Sequence, residues 1–236
     1  MPKEISILEG NIGYTFTDKQ LLETALTHSS YSNELRAKRI VVPCNERLEF
    51  LGDSVLSIIV SEYLFQSHKE LPEGELTKMR AELVCGRTLS SFARSIGLGE
   101  HMYLVNGEEK NGGRANDKIL ENAFEALLAA LYLDAGKNGK RVVSDFLLPL
   151  VERELQALLA VGHGKDFKTA LQQFVQQTEG DFLEYAVVSE QGPDHMKTFH
   201  VEARLNSNVI GRGTGRSKRE AEQNAARQAL SLFGEM

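Results

Sequence analysis

The 236-residue chain is short of four things: cysteine, long apolar runs, positive charge in excess, and repetition. Its two cysteines, Cys44 and Cys85, are too few for a disulfide framework and lack metal-ligand spacing. They are expected to be small buried thiols in a reducing compartment. The longest apolar stretches, around Ile58-Ile59-Val60 and Leu127–Leu133, are short and interrupted by charge, as in core helices rather than membrane spans. No charged start followed by an apolar run opens the chain, so no secretory signal is expected and the cytoplasm is the simplest location. The net charge of −6 argues against a uniformly basic nucleic-acid binder. It does not exclude a local patch, because nearby cations decide contact with phosphate and the total does not. No internal repeat or low-complexity tract is present.

What is present is ordinary in bulk: 42% apolar and 25% charged residues, at a length that suits one large domain or two modest ones. The informative stretch is Asn45-Glu46-Arg47-Leu48-Glu49-Phe50-Leu51-Gly52-Asp53-Ser54-Val55-Leu56. Glu46, Glu49 and Asp53 fall at i, i+3 and i+7, so a helix projects all three from one face. Leu48, Phe50, Leu51, Val55 and Leu56 read as its buried side. Like charges at that spacing repel and stabilise nothing by themselves. Carboxylates gathered beside an apolar face suit a hard divalent cation; a solvated acidic face is the plain alternative.

Thr17-Asp18-Lys19-Gln20 reads as a capping box with Thr17 as N-cap, opening a helix through Leu26. His28 follows in Thr27-His28-Ser29-Ser30-Tyr31; no nucleophile stands beside it, and a satisfied structural histidine is expected. Residues 32–44 look polar and irregular. Asn45 is a suitable N-cap for the carboxylate helix, which should run to about Gln66. Glu73 falls in the first turn of the next helix, where the helix dipole favours a carboxylate. Residues 105–116, rich in Asn and Gly, are expected to form a flexible loop. Its Lys110 and Arg114, with Lys118 just after, are either solvated or in reach of a phosphate backbone. The stretch Ile119–Asp134 has small and apolar residues at helical spacing and should be a buried helix. Glu125 is conspicuous there, because a carboxylate on a buried helix needs a partner or a metal. Asn122 lies one turn earlier on the same face. A further helix, roughly Lys140–Ala160, closes an all-helical part.

Residues 161–165 form a short Gly-rich linker, dividing a domain over 1–160 from one over 166–236. Beyond it the pattern is α-β-β-β-α. An amphipathic helix at 166–178 is followed by strands at 183–188, 199–205 and 209–215, then a capping box at Ser217-Lys218-Arg219-Glu220 that opens a final helix. Residues 166–236 hold 8 Lys and Arg against 10 Asp and Glu, so affinity for phosphate must come from one place. Arg216, Lys218 and Arg219 gather at the start of the last helix, where free N–H groups also favour an anion.

The string NERLEFLGDSVL, with Thr27–Tyr31, closely resembles the signature of the bacterial ribonuclease III family. Lys168–Gln173, Gly192-Pro193-Asp194-His195 and Ser217–Gln223 together resemble a double-stranded RNA-binding domain. The resemblance covers nearly the whole chain in the family's order. It implies an all-α nuclease domain followed by a small α+β double-stranded RNA-binding domain, working as a homodimer. It implies hydrolysis of double-stranded RNA with Mg²⁺ (Mn²⁺ as substitute), leaving 5′-phosphate and 3′-hydroxyl ends with a short 3′ overhang, and a role in ribosomal and messenger RNA processing. Glu46, Glu49, Asp53 and Glu125 would form the acidic cluster, with Glu49, Asn122 and Glu125 on the metal and Asp53 and Glu125 catalytic. Glu73 would lie near the metal site, an alternative to its plain role at a helix start. Phe50 would pack across the dimer interface. Thr169, Gln172, Gln173 and Gln176 would face one minor groove and His195 a second, while Ser217, Lys218 and Arg219 would meet the phosphates between them. Asn122 departs from the family, which typically has Asp there. An amide oxygen still binds metal but brings no charge, and Glu121, a quarter-turn away, is not expected to compensate. A non-cleaving RNA-binding protein on the same fold is the alternative that Asn122 supports. A small-molecule phosphohydrolase would leave the second domain unexplained.

Overall fold

A helix buried on nearly every side is the centre of the first of two units, Met1–Ala157 and Leu158–Met236. The computed structural model describes residues 2–160, 167–176, 180–193 and 197–234. In chain order the helices of the first unit are α1 (Ile5–Ile12), α2 (Lys19–Leu26), α3 (Ser29–Ala37), α4 (Glu46–Ser67), α5 (Glu73–Leu83), α6 (Gly86–Ser95), α7 (Asn106–Lys110), α8 (Asp117–Asp134) and α9 (Gly139–Ala160). The central one is α8, whose residues from Ala123 to Leu131 are all buried. Helices α2, α4 and α6 pack on it. From Ala123 to Leu131 its mostly apolar and small side chains leave no solvated stripe, as expected of a helix enclosed by others. Phe124 stacks between Phe92 of α6 and Phe146 of α9, with ring centroids 5.8 and 6.0 Å away.

Several local expectations are corrected. Asp18, not Thr17, caps α2: its carboxylate accepts the Gln20 N–H at 2.9 Å. Part of the stretch read as irregular is helix α3. His28 caps that helix, its Nδ1 accepting from the Ser30 N–H at 3.3 Å. Asn45 stands at the N-cap position of α4 without a side-chain cap bond, and its buried Nδ2 has no partner among the described residues. The expected loop at 105–116 contains α7 and a 3-10 turn, Gly113–Ala115. Arg114 is structural there: its guanidinium donates to the Gly99, Glu100 and Met102 carbonyls and pairs with Glu109 at 2.9 Å. Lys118 pairs with Glu121 at 3.2 Å. Cys44 and Cys85 are half-buried rather than buried.

The end of α8 is tied to the start of the chain. The Asp134 carboxylate accepts from Tyr14 Oη at 2.7 Å, Thr17 N at 2.9 Å and Asp18 N at 2.8 Å. Glu9, buried on α1, accepts from the Phe16 N–H at 2.7 Å and pairs with Lys19. Burial pushes the Tyr14 hydroxyl up to about 12, assisted by its bond to Asp134. Burial acts to raise Asp134 too, but the N–H donors, Tyr14 and Lys19 outweigh it and hold the carboxyl below the ordinary aspartate range.

The second unit contains α10 (Phe167–Val175), β1 (Leu183–Gln191), β2 (Thr198–Leu205), β3 (Asn208–Gly215) and α11 (Lys218–Phe233). The antiparallel sheet has the order β1-β2-β3, with Val187 opposite Val201 and Val201 opposite Gly213. Asn206 and Ser207 turn the second hairpin with φ of 48° and 72°, the left-handed pair that matches strand twist. Helix α11 lies against β2 and β3 through Ala221, Ala225 and Ala229. A Cβ at Gly211 or Gly213 would stand 2.2 Å from the Ala225 carbonyl oxygen or 2.1 Å from that of Ala221. Glycine on the strand and alanine on the helix therefore permit this close packing.

Replacing Asp134 by Ala should lower stability by about 2–3 kcal/mol, because it strands a tyrosine hydroxyl and removes a charged acceptor. A carboxyl held below its unfolded value stabilises fully above that value, and the contribution disappears as pH falls through the folded value. The gap between parent and Asp134→Ala, read as urea midpoints, should thus be full at pH 7 and narrow below about pH 4.

Candidate active site

The site begins with a missing side chain. A Cβ on Gly52 of α4 would lie 1.8 Å from the Glu125 carbonyl oxygen of α8. Only glycine allows the two backbones to pass so closely. The carboxylates flanking it on α4, Glu49 and Asp53, are thereby brought to the α8 face that carries Glu125.

Electrostatics define the membership of the cluster. Glu125 is 8% exposed. Burial, then the charges of Asp53, Glu121 and Glu49, push its carboxyl up to about 7, and Lys118 acts in the opposite direction. Burial also raises Glu49, with Lys118 lowering it and Glu46 and Glu121 adding to the rise. Asp53, Glu121 and Glu49 thus act on Glu125, and Glu46 and Glu121 act on Glu49. Asn122 sits among them on α8, and its Oδ1 is buried with no hydrogen-bond partner among the described residues.

Among the described residues, no three His, Cys, Asp or Glu side chains converge closely enough to hold an ion as they stand. The donor chemistry nevertheless fits a hard divalent cation. The donors are all oxygen, one carbonyl oxygen is orphaned, and a buried carboxyl is raised by its like-charged neighbours. A cation would answer both the missing partner and the repulsion.

The other sequence candidates fall elsewhere or change character. Glu73 accepts from Thr77 Oγ1 at 2.8 Å and lines a groove with Ile58, Phe65, Leu76 and Arg80; it is not among the charges acting on Glu49 or Glu125. Phe50, read as part of the buried side of α4, is 80% exposed. Glu121, expected to point away, belongs to the field around Glu125. The sequence carried part of this, since Glu121 and Glu125 are i and i+4 on one helix, but that spacing says nothing about which neighbouring helix Glu121 also meets. Here the neighbour is the start of α6, where a Cβ on Gly86 would lie 2.6 Å from Glu121 Oε2.

In the second unit, Gln172, Gln173 and Gln176 are exposed on and just after α10, and Thr169 is half-buried. His195 lies outside the described residues. Ser217 caps α11, accepting from the Glu220 N–H at 3.2 Å, and Glu220 in turn accepts the Arg216 N–H at 2.7 Å. This holds the exposed Arg216, Lys218 and Arg219 at the helix start. Lys218 Nζ lies 3.6 Å from Glu190 and 5.8 Å from the Phe199 ring centroid.

Comparison with known proteins accounts for both units. A family described as Ribonuclease-III-like matches residues 18–150, and the double-stranded RNA binding motif matches residues 167–232. A protein named Ribonuclease 3 from Caldanaerobacter subterraneus subsp. tengcongensis is 46% identical over 231 residues, covering 98% of each chain. One of the same name from Oceanobacillus iheyensis is 47% identical, covering 96% of this chain and 97% of its own. Among solved structures, the ribonuclease III nuclease domain of Campylobacter jejuni is similar with a TM-score of 0.57 and 39% identity. It covers 64% of this chain and 97% of its own, and its description refers to a region involved in dimer formation.

The raised Glu125 has a consequence for stability. A carboxyl that binds its proton more tightly when folded costs stability as pH rises from its unfolded value to its folded one, and the cost then stays constant. In chelator at pH 8, Glu125→Gln should raise stability by about 1–3 kcal/mol, whereas at pH 5 it should change little. Urea denaturation at the two pH values measures both.

Proposed function

The chain belongs to the ribonuclease III family, and on that premise we propose how its residues divide the work of cutting double-stranded RNA. The protein is a double-strand-specific endoribonuclease that depends on divalent metal, and its second unit binds double-stranded RNA. The observation that carries the assignment of residues is the buried, raised Glu125 facing Glu49 and Asp53, with the orphaned Asn122 oxygen beside it.

An RNA backbone is polyanionic, so carboxylates meet it only with a cation between them. Mg²⁺ is the ion proposed, with Mn²⁺ able to replace it, since both accept oxygen ligands. When bound, it supplies an acidified water and neutralises charge at the scissile phosphate. Glu49, Glu125 and the Asn122 carbonyl oxygen would hold it. Asp53, exposed next to Gly52, accepts the proton of the attacking water. Glu46 adds negative field from the first turn of α4. Cleavage leaves a 5′-phosphate and a 3′-hydroxyl, with a short 3′ overhang when both strands are cut.

Two cuts across one duplex call for two sites, and a homodimer supplies them. Phe50, 80% exposed on α4, is the aromatic anchor of that interface. A groove of about 430 Å³ lined by Ile58, Leu64, Phe65 and Leu76 involves the same helix, a combination suited to a self-complementary two-fold contact. In the second unit, Thr169, Gln172, Gln173, Gln176 and His195 meet the minor grooves, while Ser217, Lys218 and Arg219 grip phosphate across the intervening major groove. No described helix is long and apolar enough to cross a membrane. The cytoplasm is the proposed location, and precursors of ribosomal and messenger RNA are the proposed substrates.

A long RNA duplex incubated with Mg²⁺ should be cut by the parent protein and left intact in chelator. Glu125→Gln should slow cutting by at least about 100-fold. If the parent binds duplex without cutting while Asn122→Asp cuts, Asn122 is not a working ligand and that assignment falls. Separately, replacing Lys218 and Arg219 by Ala should weaken duplex binding irrespective of sequence. It should reduce the slope of log affinity against log salt by about 1 for each phosphate that loses its cationic side chain. An unchanged slope would remove these residues from the RNA surface.

A further inference from the structure

Glu121 has no role in the site as proposed above, yet the structure places its carboxylate with care. It stands one residue before Asn122 on α8. Lys118, one turn earlier, approaches it at 3.2 Å, and Glu121 is the more buried of the pair, 21% exposed against 68% for Lys118. On its other side is Gly86, the first residue of α6 after Cys85 at the N-cap position. The position of a Gly86 Cβ would be 2.6 Å from Glu121 Oε2 and 2.8 Å from Cδ. The carboxylate thus occupies the space that a side chain at 86 would need, at the end of α6 where free N–H groups favour an anion.

We propose that Glu121 is a metal-positioning residue of this site and supplies the negative charge that Asn122 does not. Asn122 offers a carbonyl oxygen that has no partner among the described residues, which is a ligand without a charge. The adjacent Glu121 offers a charge, on a side chain that is 21% exposed and lies beside Gly86 with Lys118 at 3.2 Å. It stands four residues before Glu125 on α8, so the two carboxylates share one helix face, and it is the immediate neighbour of Asn122. Lys118 is its counter-ion when no metal is bound. Charge beside a metal site strengthens binding even without direct ligation, and loss of such outer partners costs about 10–100-fold in affinity.

The inference rests on reading the acidic cluster as the metal site, and the test separates the two. Binding of Mn²⁺ to full-length protein without RNA is measured by electron paramagnetic resonance of the free ion. The proteins compared are the parent, Glu121→Gln, Asn122→Asp, the double variant Glu121→Gln/Asn122→Asp, and Glu125→Gln, each checked for an unchanged circular dichroism spectrum. Glu121→Gln should weaken Mn²⁺ binding by about 10-fold or more. Asn122→Asp should tighten it, and the double variant should return to within about threefold of the parent because the charge is restored. If Glu121→Gln binds Mn²⁺ as the parent does, or the added Asn122→Asp fails to rescue it, while Glu125→Gln binds weakly, the role of Glu121 is overturned and the metal site stands. If Glu125→Gln also binds as the parent does, the metal-site reading itself fails, and this inference with it.

Discussion

The passage of α4 over α8 at Gly52 is the contact on which the nuclease unit depends. Two helix backbones can approach this closely only where one of them carries no side chain. The approach brings the half-buried Glu49 and the exposed Asp53 to Glu125, whose own charge is poorly solvated, so that it feels their repulsion. Such a cluster opposes folding. It is tolerated because α8 is otherwise enclosed by apolar side chains, from Ile119 through Leu131, and because Asp134 anchors its far end through three hydrogen bonds. The same repulsion is what the divalent cation proposed above would relieve, at a cost in stability when it is removed.

The RNA-binding unit uses a similar device for a different end. Gly211 and Gly213 let α11 settle on the sheet through a row of alanines. Such packing fixes the start of the helix relative to β3, and the reciprocal bonds of Ser217 and Glu220 fix the chain that enters it. Arg216, Lys218 and Arg219 are then presented from a rigid platform. Positive charge matters here by position, since residues 166–236 carry more acid than base. Glu190, within 3.6 Å of Lys218, shows how closely that cationic patch is bordered by acid.

Much of this was legible in the residues. The buried helix containing Glu125, the helix bearing Glu46, Glu49 and Asp53, and the α-β-β-β-α order all follow from periodicity and capping chemistry. Most departures share one cause, which is that a local pattern does not say what lies opposite. Phe50 is different: it fits the apolar side of α4 by type, but two residues along a helix is about 200° of rotation, and it faces away from the buried Leu48. Arg114 has the residue type that suits phosphate and is instead consumed by carbonyls from residues 99–102. Asn45 stands at a helix start without capping it.

By itself, then, the sequence determined which helices and strands form and which residue types gather in each, because spacing, caps and turn residues act over a few positions. It also carried the family signature from which the chemistry could be expected. Only the tertiary structure decided which carboxylates share a field. Glu49 and Asp53 of α4 act on Glu125 of α8, a meeting of two helices that periodicity within either one does not contain, whereas Glu121, one turn before Glu125 on α8, is the part that spacing did carry. The reason is physical: electrostatic coupling depends on distance and burial across helices, and those are set by close approaches such as the backbone contact at Gly52 and the Glu121 side chain beside Gly86, between residues far apart in the chain.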